Sequence, residues 1–358
     1  MLHLLEWLHL FNLMNIRCKA MTTNMTNSTT VMMKAMVVKA LGSSDVFQLA
    51  EIAKPVAIPG HLVVEVKATS VNPLDVMLRS IELPWSANLP EVLHGDVAGI
   101  VTEVGEGITD FAAGDEVYGM AGGVNGTNGA LAEFMLVDAR LMAKKPATLS
   151  MRQAAALPLV AITAYEALVE KMNVKDGDHV LIHGATGGVG HIAIQLAKVL
   201  GATVTATHGA SSAELANTLG ADHLVDYSTK SVADYVQRYT GGLGFDKVFD
   251  TVAGDNIQKS FEAVKFNGHV TTILPIDDSL QVALKSLSFH SVLMLVPLCH
   301  GINHASHGRI LTEIAEWVDA GKIIPVLDDS DFSIWDVAKA HDRFESGDSV
   351  GKIVLTSL

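Results

Sequence analysis

The segment Gly184-Ala-Thr-Gly-Gly-Val-Gly190 directly follows the apolar run Val180-Leu-Ile182. After it, Val189, Ile192, Ala193, Leu196, Ala197 and Leu200 recur at the spacing of one helix face. Strand, glycine turn and helix in that order suit a pyrophosphate. Glycines let the backbone approach it closely, and the unpaired N–H groups at the helix start stabilise its charge. The match to G-x-G-x-x-G is imperfect, because Ala185 stands at the first glycine position while Gly187 and Gly190 keep the other two. Dinucleotide binding is nevertheless the stronger reading, since the complete context is present. It places Ala185, Thr186, Gly187, Gly188, Val189 and Gly190 at the cofactor.

Cofactor choice turns on the end of the next strand-like run, Thr203-Val-Thr-Ala-Thr207. A site that holds a ribose 2′-OH usually carries an acid about 20 residues beyond the glycine turn. Here the chain reads His208-Gly-Ala-Ser211-Ser212, with no acid before Glu214. Nothing in that stretch repels a 2′-phosphate, and His208, Ser211 and Ser212 can hydrogen-bond one, so NADPH is expected over NADH. No Arg or Lys lies between Lys198 and Lys230 to neutralise the phosphate. Serines after a strand also serve simply as helix caps.

The composition narrows the class. The 358 residues correspond to about two domains at the usual domain size. Hydrophobic residues make up 49% and charged residues 18%, which excludes a disordered chain. With 25 Lys and Arg against 39 Asp and Glu, the net charge is −14, so a nucleic-acid backbone is repelled. The only cysteines, Cys18 and Cys299, build neither a disulfide framework nor a four-thiolate zinc site, and suit a reducing, cytoplasmic setting.

The elements that must position the glycine turn change character along the chain. Residues 1–31 read as a leader expected to be poorly ordered. Its apolar stretch Met1–Ile16 carries a polar stripe at His3, Glu6, His9, Asn12 and Asn15, and is too short to span a bilayer. Its Thr/Asn/Ser-rich part slightly resembles a transit peptide, and an upstream start codon is the plainer expectation. Residues 32–155 read as short β-rich pieces broken by glycine, a compact and largely antiparallel domain. In residues 156–297, strands and helices alternate as in a doubly wound parallel α/β sheet. Residues 298–358 hold a helix from about His304 to Ala320 and a final strand, Gly351-Lys-Ile-Val-Leu, which returns to the first domain.

A second set of motifs lies in the β-rich part: Asn72-Pro73-x-Asp75, Gly95-Asp96-x-x-Gly99 and Gly114-Asp115-x-Val117. Taken with the Ala-x-x-Gly-x-x-Gly loop, they resemble the medium-chain dehydrogenase/reductase superfamily, and within it the zinc-independent quinone oxidoreductase branch that includes zeta-crystallin. The resemblance covers Met33 to Leu358. It implies a GroES-like catalytic domain beside a Rossmann domain, an active site in the cleft and a homodimer. It also implies Asn72, Asp75 and Thr163 as catalytic-site residues, with Asp75 orienting the Asn72 loop, Thr163 beside the nicotinamide and Tyr227 at the adenosine phosphate end. The other readings of these residues are a turn former before Pro73, a helix threonine bonded to the preceding turn, and a packing aromatic at a strand end.

Zinc-using relatives carry an early Cys and a Gly-His-Glu where this chain has Gly95-Asp96-Val97, so metal-free chemistry is expected. His304 and His307 stand one helical turn apart, where chelation is geometrically possible, but that segment reads more simply as a helix start. Several members of the branch have a tyrosine where this chain has Met77, and Trp85 is the nearby aromatic that could compensate. The expected reaction is hydride transfer from NADPH to a quinone, or to the activated C=C of an enone or 2-alkenal. A non-catalytic NADPH-binding protein is a third reading. No nucleic-acid or membrane partner is expected.

Overall fold

A computed structural model describes residues 30–83, 88–274, 276 and 279–357. Trp85 and the leader up to residue 29 lie outside the described residues. Of the leader, residues 30 and 31 are described, and the Val31 carbonyl accepts the Lys54 N–H at 2.8 Å. This bond extends the antiparallel pairing of β1 (Met32–Val38) with β2 (Phe47–Ala53).

The β-rich part is organised by β3 (His61–Ser70), whose apolar residues reach both sides of a curled sheet and are largely buried. It pairs antiparallel with β4 (Asp96–Val104) along its length, with β6 (Phe134–Asp138) at its start, and with β15 (Val354–Thr356) at its end. β5 (Glu116–Met120) and β7 (Met142–Lys144) continue from β4, and β14 (Phe332–Ser333) flanks β15. Gly99 is required here: a Cβ at that position would stand 2.1 Å from the Glu65 carbonyl oxygen.

The second sheet is parallel throughout, in the order β10-β9-β8-β11-β12-β13. These strands are β8 (His179–His183), β9 (Thr203–His208), β10 (His223–Asp226), β11 (Phe245–Asp250), β12 (Val264–Thr272) and β13 (Ser288–Ser291). The chain leaves β8 toward β9 on one side and returns to β11 on the other. That reversal opens a crevice at the C-terminal strand ends. The architecture is therefore a GroES-like β domain joined to a Rossmann-type sheet.

Three helices connect the two sheets to the cleft. Helix α1 (Pro73–Ser80) follows β3, with proline at its first position, where a missing N–H costs nothing. Helix α2 (Pro158–Tyr165) is apolar on every face and buried between the first sheet and the helix that covers the parallel sheet. Helix α3 (Gly190–Val199) covers the parallel sheet with Ile192, Ala193, Leu196 and Ala197, all fully buried. The expected C-terminal helix is α4 (Ala305–Asp319). It is tied to the first sheet by the Tyr118 hydroxyl, which donates to the Leu311 carbonyl at 2.6 Å.

Candidate active site

The glycine turn between β8 and α3 is built on Gly184, whose φ is 78°, a conformation that disfavours a side chain. Gly184 therefore supplies the tight turn, one residue before the position where Ala185 departs from the motif. Ala185 is fully buried, and its N–H donates to the Thr207 carbonyl at 3.0 Å. Gly190 meets a different demand: a Cβ there would lie 2.0 Å from the Gly184 carbonyl oxygen. His191, not singled out from the sequence, braces the turn, its Nδ1–H donating to the Gly187 carbonyl at 3.0 Å. Burial pushes that imidazole down to about 4, so the ring stays neutral at ordinary pH.

A groove of about 1120 Å³ runs over this turn. Ala185, Thr186, Gly187, Gly188 and Val189 line it, as do His208, Ser211, Ser212 and Tyr227. Gly190 is not in its lining and acts by close packing beneath it. The Ser212 hydroxyl donates to the Gly209 carbonyl at 3.2 Å and makes no cap bond to the helix that follows. Tyr227 is more than half exposed, so it does not pack as a strand-end core residue. Lys259 also lines the groove. It lies outside the stretch between Lys198 and Lys230, because it arrives on the helix Asn256–Ala263 after β11.

The groove is continuous with a smaller cavity of about 330 Å³, both being lined by Pro73, Met77, Gly188, Val189, Thr251 and Leu274. The walls of the smaller cavity are mainly apolar, including Ile273, Val292, Met294 and Phe344. Its polar groups are few: Asn72 from the start of α1, Thr163 from α2, Thr251 after β11 and Lys352 before β15. Asn72 and Thr163, far apart in sequence, thus meet in one cavity. The Thr163 hydroxyl donates to the Leu159 carbonyl at 2.8 Å, the back-bond to the preceding turn, and its oxygen remains an acceptor toward the cavity.

Asp75 lines neither space. Its carboxylate accepts the Asn72 backbone N–H at 2.8 Å, so it holds the start of α1 from behind. Burial pushes the Asp75 carboxyl up to about 7, opposed by that hydrogen bond and reinforced by the negative charge of Asp96.

Asp96, fully buried, joins the elements. Its Oδ2 accepts from Ser70 Oγ at 2.7 Å and Asn72 Nδ2 at 2.9 Å, and its Oδ1 accepts the Leu159 N–H at 2.9 Å. Lys352 stands 3.7 Å from Asp96 Oδ2. Its ammonium donates to the Val71 carbonyl at 2.9 Å and to Asn72 Oδ1. Burial holds Lys352 below the usual lysine range, with Asp96 and Asp75 acting in the opposite sense. Three buried ionisable groups, Asp75, Asp96 and Lys352, thus surround one asparagine.

This arrangement does not fit zinc. The carboxylate that replaces the imidazole of zinc-using relatives already accepts three hydrogen bonds and has an ammonium beside it. Among the described residues no group of three or more His, Cys, Asp or Glu could hold a metal. His304 and His307 turn to separate partners: His304 Nδ1 lies 2.8 Å from Asp138, whereas His307 is fully buried on α4 near Glu166. A dinucleotide does fit, through the Gly184 turn, the Cβ-free approach at Gly190 and the polar lining at His208 to Ser212.

Comparison with known proteins agrees with this construction. Residues 58–147 match an alcohol dehydrogenase GroES-like domain, and residues 219–355 match a zinc-binding dehydrogenase domain. The chain is 33% identical to the mitochondrial NAD(P)H oxidoreductase RTN4IP1 of Mus musculus, over 92% of this chain and 90% of that protein. It is 34% identical to the 2-methylene-furan-3-one reductase of Solanum lycopersicum, over 90% and 79% respectively. Among solved structures, the quinone oxidoreductase of Coxiella burnetii superposes with a TM-score of 0.79 at 27% identity, over 92% of this chain and all of that one. The chain belongs to the medium-chain dehydrogenase/reductase superfamily, and within it to the NAD(P)H-dependent oxidoreductases. Among the described residues no helix is long and apolar enough to cross a membrane.

Proposed function

We propose that this protein is an NADPH-dependent reductase that delivers hydride to a quinone without a metal. The observation that carries the reading is the apolar cavity of about 330 Å³, with Asn72, Thr163, Thr251 and Lys352 as polar groups, opening onto the glycine-turn groove. Bound NADPH supplies the hydride. The protein holds the acceptor in a water-poor space and gives its carbonyl oxygen a hydrogen bond from the Asn72 amide. An electrophilic quinone needs no Lewis acid, which agrees with a donor set that does not fit zinc. The 2′-phosphate preference rests on His208, Ser211 and Ser212, with Lys259 in the same groove and no acid before Glu214.

An activated alkene is the second reading. It is favoured by the likeness to the tomato reductase and by the same cavity, whose one amide donor suits an enone oxygen equally well. We also infer a homodimer, from the superfamily likeness and from β13, which is the outer strand of the parallel sheet and has Leu293 and Val296 exposed just beyond it. A cytoplasmic setting is inferred from the cysteine count alone.

The deciding experiment follows oxidation of NADPH and of NADH by the purified protein with 1,4-benzoquinone, an enone and a simple aldehyde, with and without chelator. Turnover of NADPH with the quinone, unaffected by chelator, is expected. Preferential turnover of the enone selects the second reading. Tight NADPH binding with no acceptor reduced refutes both in favour of a non-catalytic cofactor-binding protein.

A further inference from the structure

Asn72 is bonded on each of its polar groups but one. Its backbone N–H goes to Asp75, its Oδ1 accepts from Lys352, and one Nδ2 hydrogen goes to Asp96. An asparagine amide can ordinarily turn over and exchange its oxygen with its nitrogen at little cost. Here that exchange is blocked from both ends. A flipped amide would set its NH2 against an ammonium, which has no acceptor, and its oxygen against a carboxylate, which has no hydrogen. Asn72, Asp96 and Lys352 are all at least 97% buried, so water does not screen either clash.

The partners of the ammonium are also all acceptors: the Val71 carbonyl, Asn72 Oδ1 and Asp96 Oδ2. The Val71 carbonyl and Asn72 Oδ1 each accept one of its hydrogens, and the Asp96 carboxylate 3.7 Å away attracts the charged form, so this geometry favours the ammonium. The other titratable or charged groups that act on Lys352 are Asp75, His94 and His191. Both imidazoles are lowered by burial and neutral, which leaves the two aspartates to set the field.

We infer that Lys352 and Asp96 form a clamp that fixes the Asn72 amide, so that the second Nδ2 hydrogen, and never the amide oxygen, is offered to the cavity Asn72 lines. Both are positioning residues acting through Asn72. The consequence is a specificity rule: the cavity recognises a ligand through a hydrogen-bond acceptor, a carbonyl oxygen, set in apolar surroundings. The inference rests on the proposed reductase reading for its kinetic expression and on the hydrogen-bond geometry for its existence.

The test is a mutant cycle. Lys352→Met leaves two buried carboxylates uncompensated and can weaken folding, so it is paired with Lys352→Met/Asp96→Asn. The pair removes both charges, and Asp96→Asn offers the Asn72 amide either an oxygen or an N–H, which frees it to turn. In variants that retain the wild-type melting profile and NADPH affinity, kcat/KM with the preferred acceptor is expected to fall on the order of 10²-fold. In an Asn72→Ala background the same changes should cost nothing further, because the clamp has lost its object. Independent, multiplying losses would overturn the clamp.

A second readout does not depend on turnover. Selective 15N-asparagine labelling identifies the Asn72 side-chain amide by its loss in Asn72→Ala. A wide separation of its two proton shifts, one downfield from the carboxylate bond, is expected, collapsing in Lys352→Met/Asp96→Asn. Shifts like those of exposed asparagines in the wild type, or shifts unaltered by the double change, refute the inference. A wild type that reduces no acceptor but shows the separated shifts refutes the reductase reading and leaves the clamp standing.

Discussion

Replacing Gly190 by alanine tests how the nucleotide turn is held together. The new Cβ would stand 2.0 Å from the Gly184 carbonyl oxygen, 2.8 Å from the Gly184 carbonyl carbon and 3.1 Å from that of Ala185. Those atoms are backbone, so no side chain can swing aside. Ordinary contact begins near 3.4 Å, and the helix start must therefore retreat by about 1.4 Å from the end of β8. Overpacking of this kind costs up to about 3 kcal/mol. At about 2–4 °C per kcal/mol for a unit of this size, the melting point falls by up to about 6–12 °C. A displacement above 1 Å at the pyrophosphate weakens NADPH binding on the order of 10²-fold, by analogy with misplaced catalytic groups.

Gly187→Ala is the internal control. Its Cβ would meet only the Gly184 oxygen, at 3.5 Å, an ordinary contact, yet Gly187 lines the groove. It should lose NADPH affinity with a melting point within about 2 °C of wild type, the range for a substitution of about 0.5 kcal/mol that disturbs no packing. Differential scanning calorimetry and isothermal titration with NADPH read both quantities. A Gly190→Ala protein that melts with the wild type and binds NADPH normally would refute the close-approach argument.

Other outcomes follow from the same geometry. Asp75 has a folded carboxyl raised to about 7 over an ordinary value of 3.8, so its contribution to stability is full below about 4 and is lost as pH rises through 7. Asp75→Asn, which keeps an oxygen for the Asn72 N–H, should therefore gain on the wild type in urea midpoint from pH 5 to pH 8, and a constant difference would exclude a raised carboxyl. Lys259→Ala with Ser211→Ala should weaken NADPH binding about tenfold, a loss of one charged contact, while NADH binding stays level; equal losses for both would remove these residues from the 2′-phosphate. Elemental analysis of protein purified without chelator should find no stoichiometric zinc, because the Asp96 oxygens are already taken; one zinc per chain would overturn that account. Phe344→Ala enlarges an apolar cavity wall and should raise KM for a small quinone several-fold with NADPH affinity unaltered, as for the loss of a few methylenes of contact.

Much of this protein is local and therefore legible along the chain. The glycine turn, the apolar stripe of α3 and the alternation of β8 to β12 with helices depend on neighbours within about one helix or strand, where periodicity carries the signal. The Gly99 and Gly114 motifs carried the first domain in the same way, and the helix expected from about His304 is α4. The net charge of −14 and two cysteines were enough to disfavour nucleic acid and a disulfide scaffold.

What the tertiary structure alone decided lies between distant segments. Lys352 reaches Val71 across 281 residues and Asn72 across 280, because β15 returns to pair with the end of β3. No composition or spacing marks that lysine, since its charge has meaning only beside Asp96 in a space without water. Asp96 stood in the sequence only as a motif residue, yet it bonds β3, α1 and the start of α2 at once. Asp75 proved to stand behind Asn72 rather than at the cavity. Lys259 came from another strand's helix, and Gly184, not Ala185, bears the left-handed turn. Hydrogen bonds and close approaches of this kind are set by which strands pair, and strand pairing is a property of the whole fold.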